Sequence, residues 1–281
     1  MAYIRRRYIT RNAVDVEEYH SLKYGAPGVE RGKKRKATPE QVYKRNHYNK
    51  IRTCREKIRT HFDVGDLFVT LTYTKDKRPE DMKQAKKDFA GFIRKLRKKY
   101  ESLGWELKWI RNIEVGSRGG WHIHVIINRI PGGDTDLMVQ RAWENGSVNF
   151  KQMHQEGEFR ELAWYITKTE REDNRLREAS YSTSRNLPVR DPEEKLIMRW
   201  DTFREVKAPE GWYLDKSSVE EGINPVTDQP FRRYTLIRIE RQAADPERNR
   251  LSRNRRKRTN AKGAGRSKHK KQILPDKAQV L

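Results

Sequence analysis

The chain has 281 residues, enough for one large domain or a medium one with extensions. Lys and Arg number 63 against 39 Asp and Glu, a formal charge of +24; this favours a polyanionic partner, nucleic acid first, because each phosphate contact releases condensed counterions. Cys54 is the only cysteine, which excludes an intrachain disulfide and a multi-cysteine zinc site; no apolar run approaches a membrane span, so a reducing, cytoplasmic setting is expected. An anionic membrane is the other polyanion, but no amphipathic basic helix is joined to a lipidation signal.

Residues 1–37 read as a basic, turn-rich arm, with Gly25, Pro27, Gly28 and Gly32 leading into Lys33, Lys34, Arg35 and Lys36. A helix is predicted from Thr38 to about His61, with Glu40 and Gln41 as capping candidates and Ile51, Cys54, Ile58 and Phe62 as its apolar stripe. DLFVTLTYT, Asp66 to Thr74, predicts a buried strand. The next helix is opened by Pro79 and Glu80 and carries Met82, Ala85, Phe89, Ile93, Leu96 and Tyr100 at helical spacing.

The period then changes to two. Trp105, Leu107, Trp109, Ile113 and Val115 share a strand face, and after GSRGG a second strand places Trp121, Ile123, Val125 and Ile127 together, so a hairpin joins them. A short helix over 134–145, a strand over 148–153 and a helix from Phe159 to about Glu172 complete the order βαββαβα. The hairpin forces antiparallel pairing, so the expected fold over 66–179 is α+β, an antiparallel palm with helices on one face. Residues 1–65 supply the arm and first helix. Residues 180–242, with the alternating RRYTLIRIE, read as a small accessory subdomain, and 243–281 as a disordered basic tail. Arg118 in the hairpin loop and Arg255, Arg256, Lys257 and Arg258 in the tail are the candidate DNA contacts.

WHIHVIIN places His122 and His124 on one strand face, opposite Trp121, Ile123 and Val125. Neighbouring neutral imidazoles suit a divalent metal; the alternative is a pair of half-exposed histidines on a solvated sheet. If Gly116 pairs with Gly120 across Ser117-Arg118-Gly119, with Gly119 left-handed, Glu114 faces His122 and becomes a third ligand candidate; otherwise it is a surface carboxylate beside Lys108 or Arg111. His154 is a weaker ligand candidate, and His20, His47, His61 and His269 show no metal spacing.

In LAWYITKTE, Tyr165 and Lys168 are expected to share a helix face. A tyrosine hydroxyl, with a pKa of about 10, is a poor nucleophile unless a cation or metal stabilises the phenolate, which would give Lys168 a role. Core packing with a solvated lysine is the alternative. Glu161 shares that face too, as a solvated charge or as an activator of water.

In this order and on these elements, F-V-T-L-T-Y at Phe68, W-H-I-H at Trp121 and Y-I-T-K at Tyr165 resemble the three motifs of the HUH rolling-circle replication initiators, over about residues 66–172. SRNL at Ser184 is a looser likeness to replication proteins of phages and mobile elements of Gram-positive bacteria. The resemblance implies Mg²⁺ or Mn²⁺ on His122, His124 and Glu114. It also implies attack by Tyr165 on single-stranded or hairpin origin DNA, a 5′-phosphotyrosine link, and Lys168 orienting the tyrosine or stabilising phosphate charge. One tyrosine in the motif argues against a two-tyrosine mechanism. The chain shows no G-x-x-x-x-G-K-[ST], so a host helicase and polymerase would act in trans.

Two other readings remain at this point. A relaxase or transposase of the same fold fits the chemistry, although those resemble permuted or smaller arrangements. A non-enzymatic RRM-like protein would use Tyr73, Trp109 and Trp121 as exposed stacking platforms.

Overall fold

The structure, a computed structural model, describes residues 3–20, 36–116, 119–153, 159–168, 181–197 and 203–239. The chain divides into two units, Met1–Arg238 and Ile239–Leu281, and the fold described below is that of the first. Arg118, His154, His269 and the tail residues Arg255, Arg256, Lys257 and Arg258 lie outside the described residues.

The elements run β1 (Tyr3–Ile9), β2 (Ala13–His20), α1 (Pro39–His61), β3 (Leu67–Tyr73), α2 (Met82–Ser102), β4 (Trp109–Val115), β5 (Trp121–Ile127), α3 (Thr135–Ala142), β6 (Gly146–Gln152), α4 (Arg160–Thr167), β7 (Ser182–Thr183), β8 (Glu193–Ile197), β9 (Trp212–Asn224) and β10 (Gln229–Arg238). They form two five-stranded sheets, ordered β8-β1-β2-β10-β9 and β6-β3-β5-β4-β7, with antiparallel pairing throughout. The class is the α+β one expected. Among the described residues no helix is long and apolar enough to cross a membrane.

The first sheet replaces part of the expected basic arm. Residues 3–20 are two of its strands, and the accessory segment supplies the other three. Its strands are joined by charge as well as by backbone bonds. Glu194, Arg6, Glu17, Arg233 and Glu220 are cross-strand neighbours in turn across all five strands, so the sign alternates along the row. The next row sets Glu18 between Arg5 and Arg232. Glu18 is fully buried and accepts from Arg5 Nε at 2.6 Å and Arg232 Nε at 2.8 Å. Opposite charges facing each other across strands stabilise the pairing, and a buried carboxylate requires such partners.

In the second sheet, Leu67, Val69, Leu71 and Tyr73 of β3 and Trp121, Ile123, Val125 and Ile127 of β5 lie under α2 and α3. Helix α2 buries its predicted stripe, but it starts at Met82 with Asp81 as N-cap, accepting from Gln84 N, and not at Pro79 and Glu80. Helix α1 starts as predicted, with a capping box between Thr38 and Gln41.

The single helical layer expected of the palm is not what forms. Ile110, Ile126 and Phe68 make half of the opposite sheet face apolar, and that surface also needs cover. Cys54 and Ile58 of α1 and Ala163 and Ile166 of α4 supply it.

Helix α1 is therefore buried on a second side, where Arg55 and Arg59 meet Asp15 of β2 at 3.3 and 2.9 Å. Burial alone would raise the pKa of Asp15, but Arg59, Arg55 and a hydrogen bond from Thr235 outweigh it and hold the carboxyl below its usual range. Its folded pKa thus lies below the unfolded value of about 3.9, so its stabilisation is full above that value and is lost as pH falls through the folded one. Removing one partner of a buried pair costs about 3–5 kcal/mol. Asp15→Ala is expected to lower the urea midpoint strongly at pH 7, with the gap to the wild type closing in acid. Equal midpoints at pH 7 would contradict this.

Candidate active site

The uncovered half of that second face is polar. Two rows cross it: Thr70, His124 and Asn112, then Thr72, His122 and Glu114, from β3, β5 and β4 respectively. The switch from apolar to polar occurs within each strand, between Phe68 and Thr70, Ile126 and His124, and Ile110 and Asn112. Period-two alternation keeps all six polar side chains on this face while the odd positions fill the core.

The hairpin has the register its loop predicts. Gly116 N donates to Gly120 O at 2.8 Å, Gly119 has φ +73°, and Glu114 pairs with His122. A left-handed residue closes this loop, a conformation that glycine adopts without steric cost. A second glycine serves a close approach: a Cβ on Gly146 would lie 1.9 Å from Thr72 O, so the edge strand β6 reaches β3 only because that position carries no side chain.

Each imidazole is oriented from behind by a threonine. Thr70 Oγ1 lies 3.1 Å from His124 Nδ1, and Thr72 Oγ1 lies 3.3 Å from His122 Nδ1. With Nδ1 engaged, Nε2 is the nitrogen presented for chemistry. Burial, then the neighbouring His124, push the pKa of His122 down against the pull of Glu114, so His122 is neutral at neutral pH and keeps a lone pair. The Arg78 guanidinium adds to that shift.

Tyr165 comes to this site from α4. Its hydroxyl lies 3.0 Å from His124 Nε2. Phe68 packs against both rings, stacked on His124 at 5.8 Å and edge-on to Tyr165 at 6.0 Å. The end of the helix is fixed by polar groups that sequence patterning did not single out. Lys50 Nζ donates to Thr167 O at 3.1 Å, and Asn112 Nδ2 donates to Lys168 O at 3.1 Å. A cation on the terminal carbonyls opposes the negative end of the helix dipole.

Lys168 stands differently from its prediction. The helix ends at Thr167 and Lys168 is its cap, with ψ 132°, so helical phase no longer relates it to Tyr165. Its side chain is exposed, as is that of Glu161 in the first turn. The expected helix beyond 168 lies outside the described residues.

A divalent ion needs several donors turned toward one point. Glu114 Oε2 lies 3.4 Å from His124 Nε2, while Oε1 accepts from Asn112 Nδ2 at 3.1 Å. The carboxylate therefore leans to His124, diagonally across the pair, and not to the facing His122. Among the described residues no three His, Cys, Asp or Glu groups converge as a metal set. The chemistry of the donors nevertheless fits: two imidazoles, a carboxylate, and beside them Asn112 Oδ1, a buried oxygen with no hydrogen-bond partner among the described residues. A buried acceptor without a partner is costly, and an oxygen-seeking cation satisfies it.

Residues 66–170 match the family model of the replication-associated protein ORF2. The matched segment spans β3 to α4 and thus carries both rows and the tyrosine. It supports a role in replication initiation. No curated protein and no solved structure matches the chain. The RRM-like alternative meets a physical obstacle, since Tyr73 and Trp121 are only 4% and 3% exposed and Trp109 packs against the core. Aromatic platforms must be open to stack on bases.

Proposed function

We propose that the chain is a metal-dependent endonuclease and strand transferase that nicks single-stranded or hairpin origin DNA and so initiates rolling-circle replication. The observation that carries this reading is the Tyr165 hydroxyl, 3.0 Å from His124 Nε2 at the rim of a His–His–Glu cluster. The match to the replication-associated family over the same residues supports it.

His122, His124 and Glu114 would hold Mg²⁺ or Mn²⁺, which as a Lewis acid polarises the scissile phosphate. The protein's own groups account for the rest. Tyr165 loses its proton, its oxygen bonds to phosphorus, the bond from phosphorus to the 3′ oxygen breaks, and that oxygen takes up a proton. The result is a 5′-phosphotyrosine and a free 3′-hydroxyl. One ester replaces another, so no nucleotide hydrolysis is needed.

His124 Nε2 has a single lone pair, which either accepts from the tyrosine hydroxyl or goes to an ion. The bond described above thus holds Tyr165 in place in the metal-free protein, and exchanging it for an ion releases the hydroxyl toward the phosphate. Lys168, exposed at the helix exit, and Arg78, beside the hairpin, are suited to phosphate oxygens. The partners in trans would be a host helicase and polymerase. The test is incubation with labelled single-stranded origin DNA and Mg²⁺ or Mn²⁺. Nicking with a covalent adduct that EDTA prevents supports the proposal, and nicking indifferent to EDTA rejects its metal dependence.

A further inference from the structure

Helix α4 has a second working face. Trp164 precedes Tyr165, so it points about 100° further round the helix, and it is 50% exposed. It borders a cleft of about 330 Å³ between α1, α4 and the first sheet, with Tyr48 and Arg52 of α1 and Ser218 of β9 on the other walls.

The far rim is built by an irregularity in the sheet. Arg233 pairs with Glu220 but Thr235 pairs with Asp215, so the intervening residues of β9 bulge where only Tyr234 lies opposite. Bulges of this kind occur beside functional sites because they redirect a strand's side chains. Arg160, one helical turn before Trp164, ties the bulge to α4 through Asp215 at 2.6 Å and Ser217 O at 3.0 Å.

The charges in this cleft decide what it suits. Arg52 is paired with Glu56, Arg160 with Asp215, and Arg233 with Glu220. Guanidiniums already held by carboxylates make a poor clamp for a phosphate. What remains is flat and polarisable: the exposed indole, and guanidinium planes such as Arg233, which lies 3.8 Å over the Tyr48 ring. Such surfaces take an unstacked base. The volume is at the lower end for ligand sites and suits a single base.

We infer that this cleft receives one base of the single-stranded DNA, stacked on Trp164, close to the phosphate that Tyr165 attacks. Taking the occupant to be single-stranded DNA rests on the proposed function. Trp164 is then a positioning residue, coupling the path of the strand to the helix that carries the nucleophile.

The test is fluorescence anisotropy of the full chain with labelled oligothymidylate in EDTA, across a salt series. Loss of a base–aromatic stack is expected to weaken binding of Trp164→Ala about 5- to 100-fold. Trp164→Phe should recover most of the loss. The slope of log affinity against log salt should stay the same, because no phosphate contact is removed. On an abasic phosphate tract of equal length the wild type and Trp164→Ala should bind alike. Unchanged affinity of Trp164→Ala for oligothymidylate would overturn the inference. A loss accompanied by a shallower salt slope, or equally large on the abasic tract, would overturn it too. The two proposals fail separately: wild-type protein that binds but forms no adduct refutes the nicking, whereas adduct formation with Trp164→Ala binding normally refutes the base site alone.

Discussion

Tyr165→Phe is expected to abolish the covalent protein–DNA adduct and to lower nicking by at least about 10³-fold, the scale on which loss of a catalytic nucleophile is felt. The substitution isolates the hydroxyl. The ring would keep its edge-on packing with Phe68 and His124, and Ala163 and Ile166 would still seat the helix. The folded structure should survive, so thermal unfolding within a few degrees of the wild type is part of the expected result. Strand binding in EDTA should also be retained. Adduct formation by Tyr165→Phe at the wild-type level would exclude Tyr165 as nucleophile.

The second large effect concerns the donors. The His122→Ala, His124→Ala double variant is expected to lose Mn²⁺ binding by calorimetry and nicking together. His124 faces both Tyr165 Oη and Glu114 Oε2, so its removal disconnects the tyrosine from the cluster. Thr70→Val should be milder, about 10–100-fold in metal affinity, because it removes only the group that orients His124. Full activity in the double variant would refute the metal assignment. Equal effects of the double variant and Thr70→Val would show that the histidines act structurally.

Local rules made some of this legible in the sequence. The hairpin is the clearest case: loop length and the left-handed Gly119 set the register, and the register sets Glu114 opposite His122. The lean of the Glu114 carboxylate toward His124 depends on a side-chain bond from Asn112, which pairing rules do not reach. The end of α4 was hidden for a similar reason. Residues Tyr165 to Lys168 are compatible with a longer helix, and the stop at Thr167 is held by Lys50 and Asn112, distant in sequence.

The first sheet shows a different limit. YIRRRYI, residues 3–9, lacks the apolar alternation of a half-buried strand and reads as a basic arm. Its arginines instead face Glu17, Glu18, Glu193 and Glu194, and the last two are far away along the chain. A strand whose partners are charges on distant segments has no local signature. Trp164 was missed because a tryptophan beside an apolar helical stripe reads as core, and only its exposure in the fold separates it from Ala163 and Ile166.

The central claim is most directly tested by mapping the covalent link. Wild-type protein would be reacted with single-stranded origin DNA and Mn²⁺, digested with nuclease and protease, and sequenced by mass spectrometry. The prediction is a single modified peptide carrying a nucleotide on Tyr165 through a 5′ phosphate. A nucleotide on any other residue, or efficient nicking with no modified peptide, would contradict it.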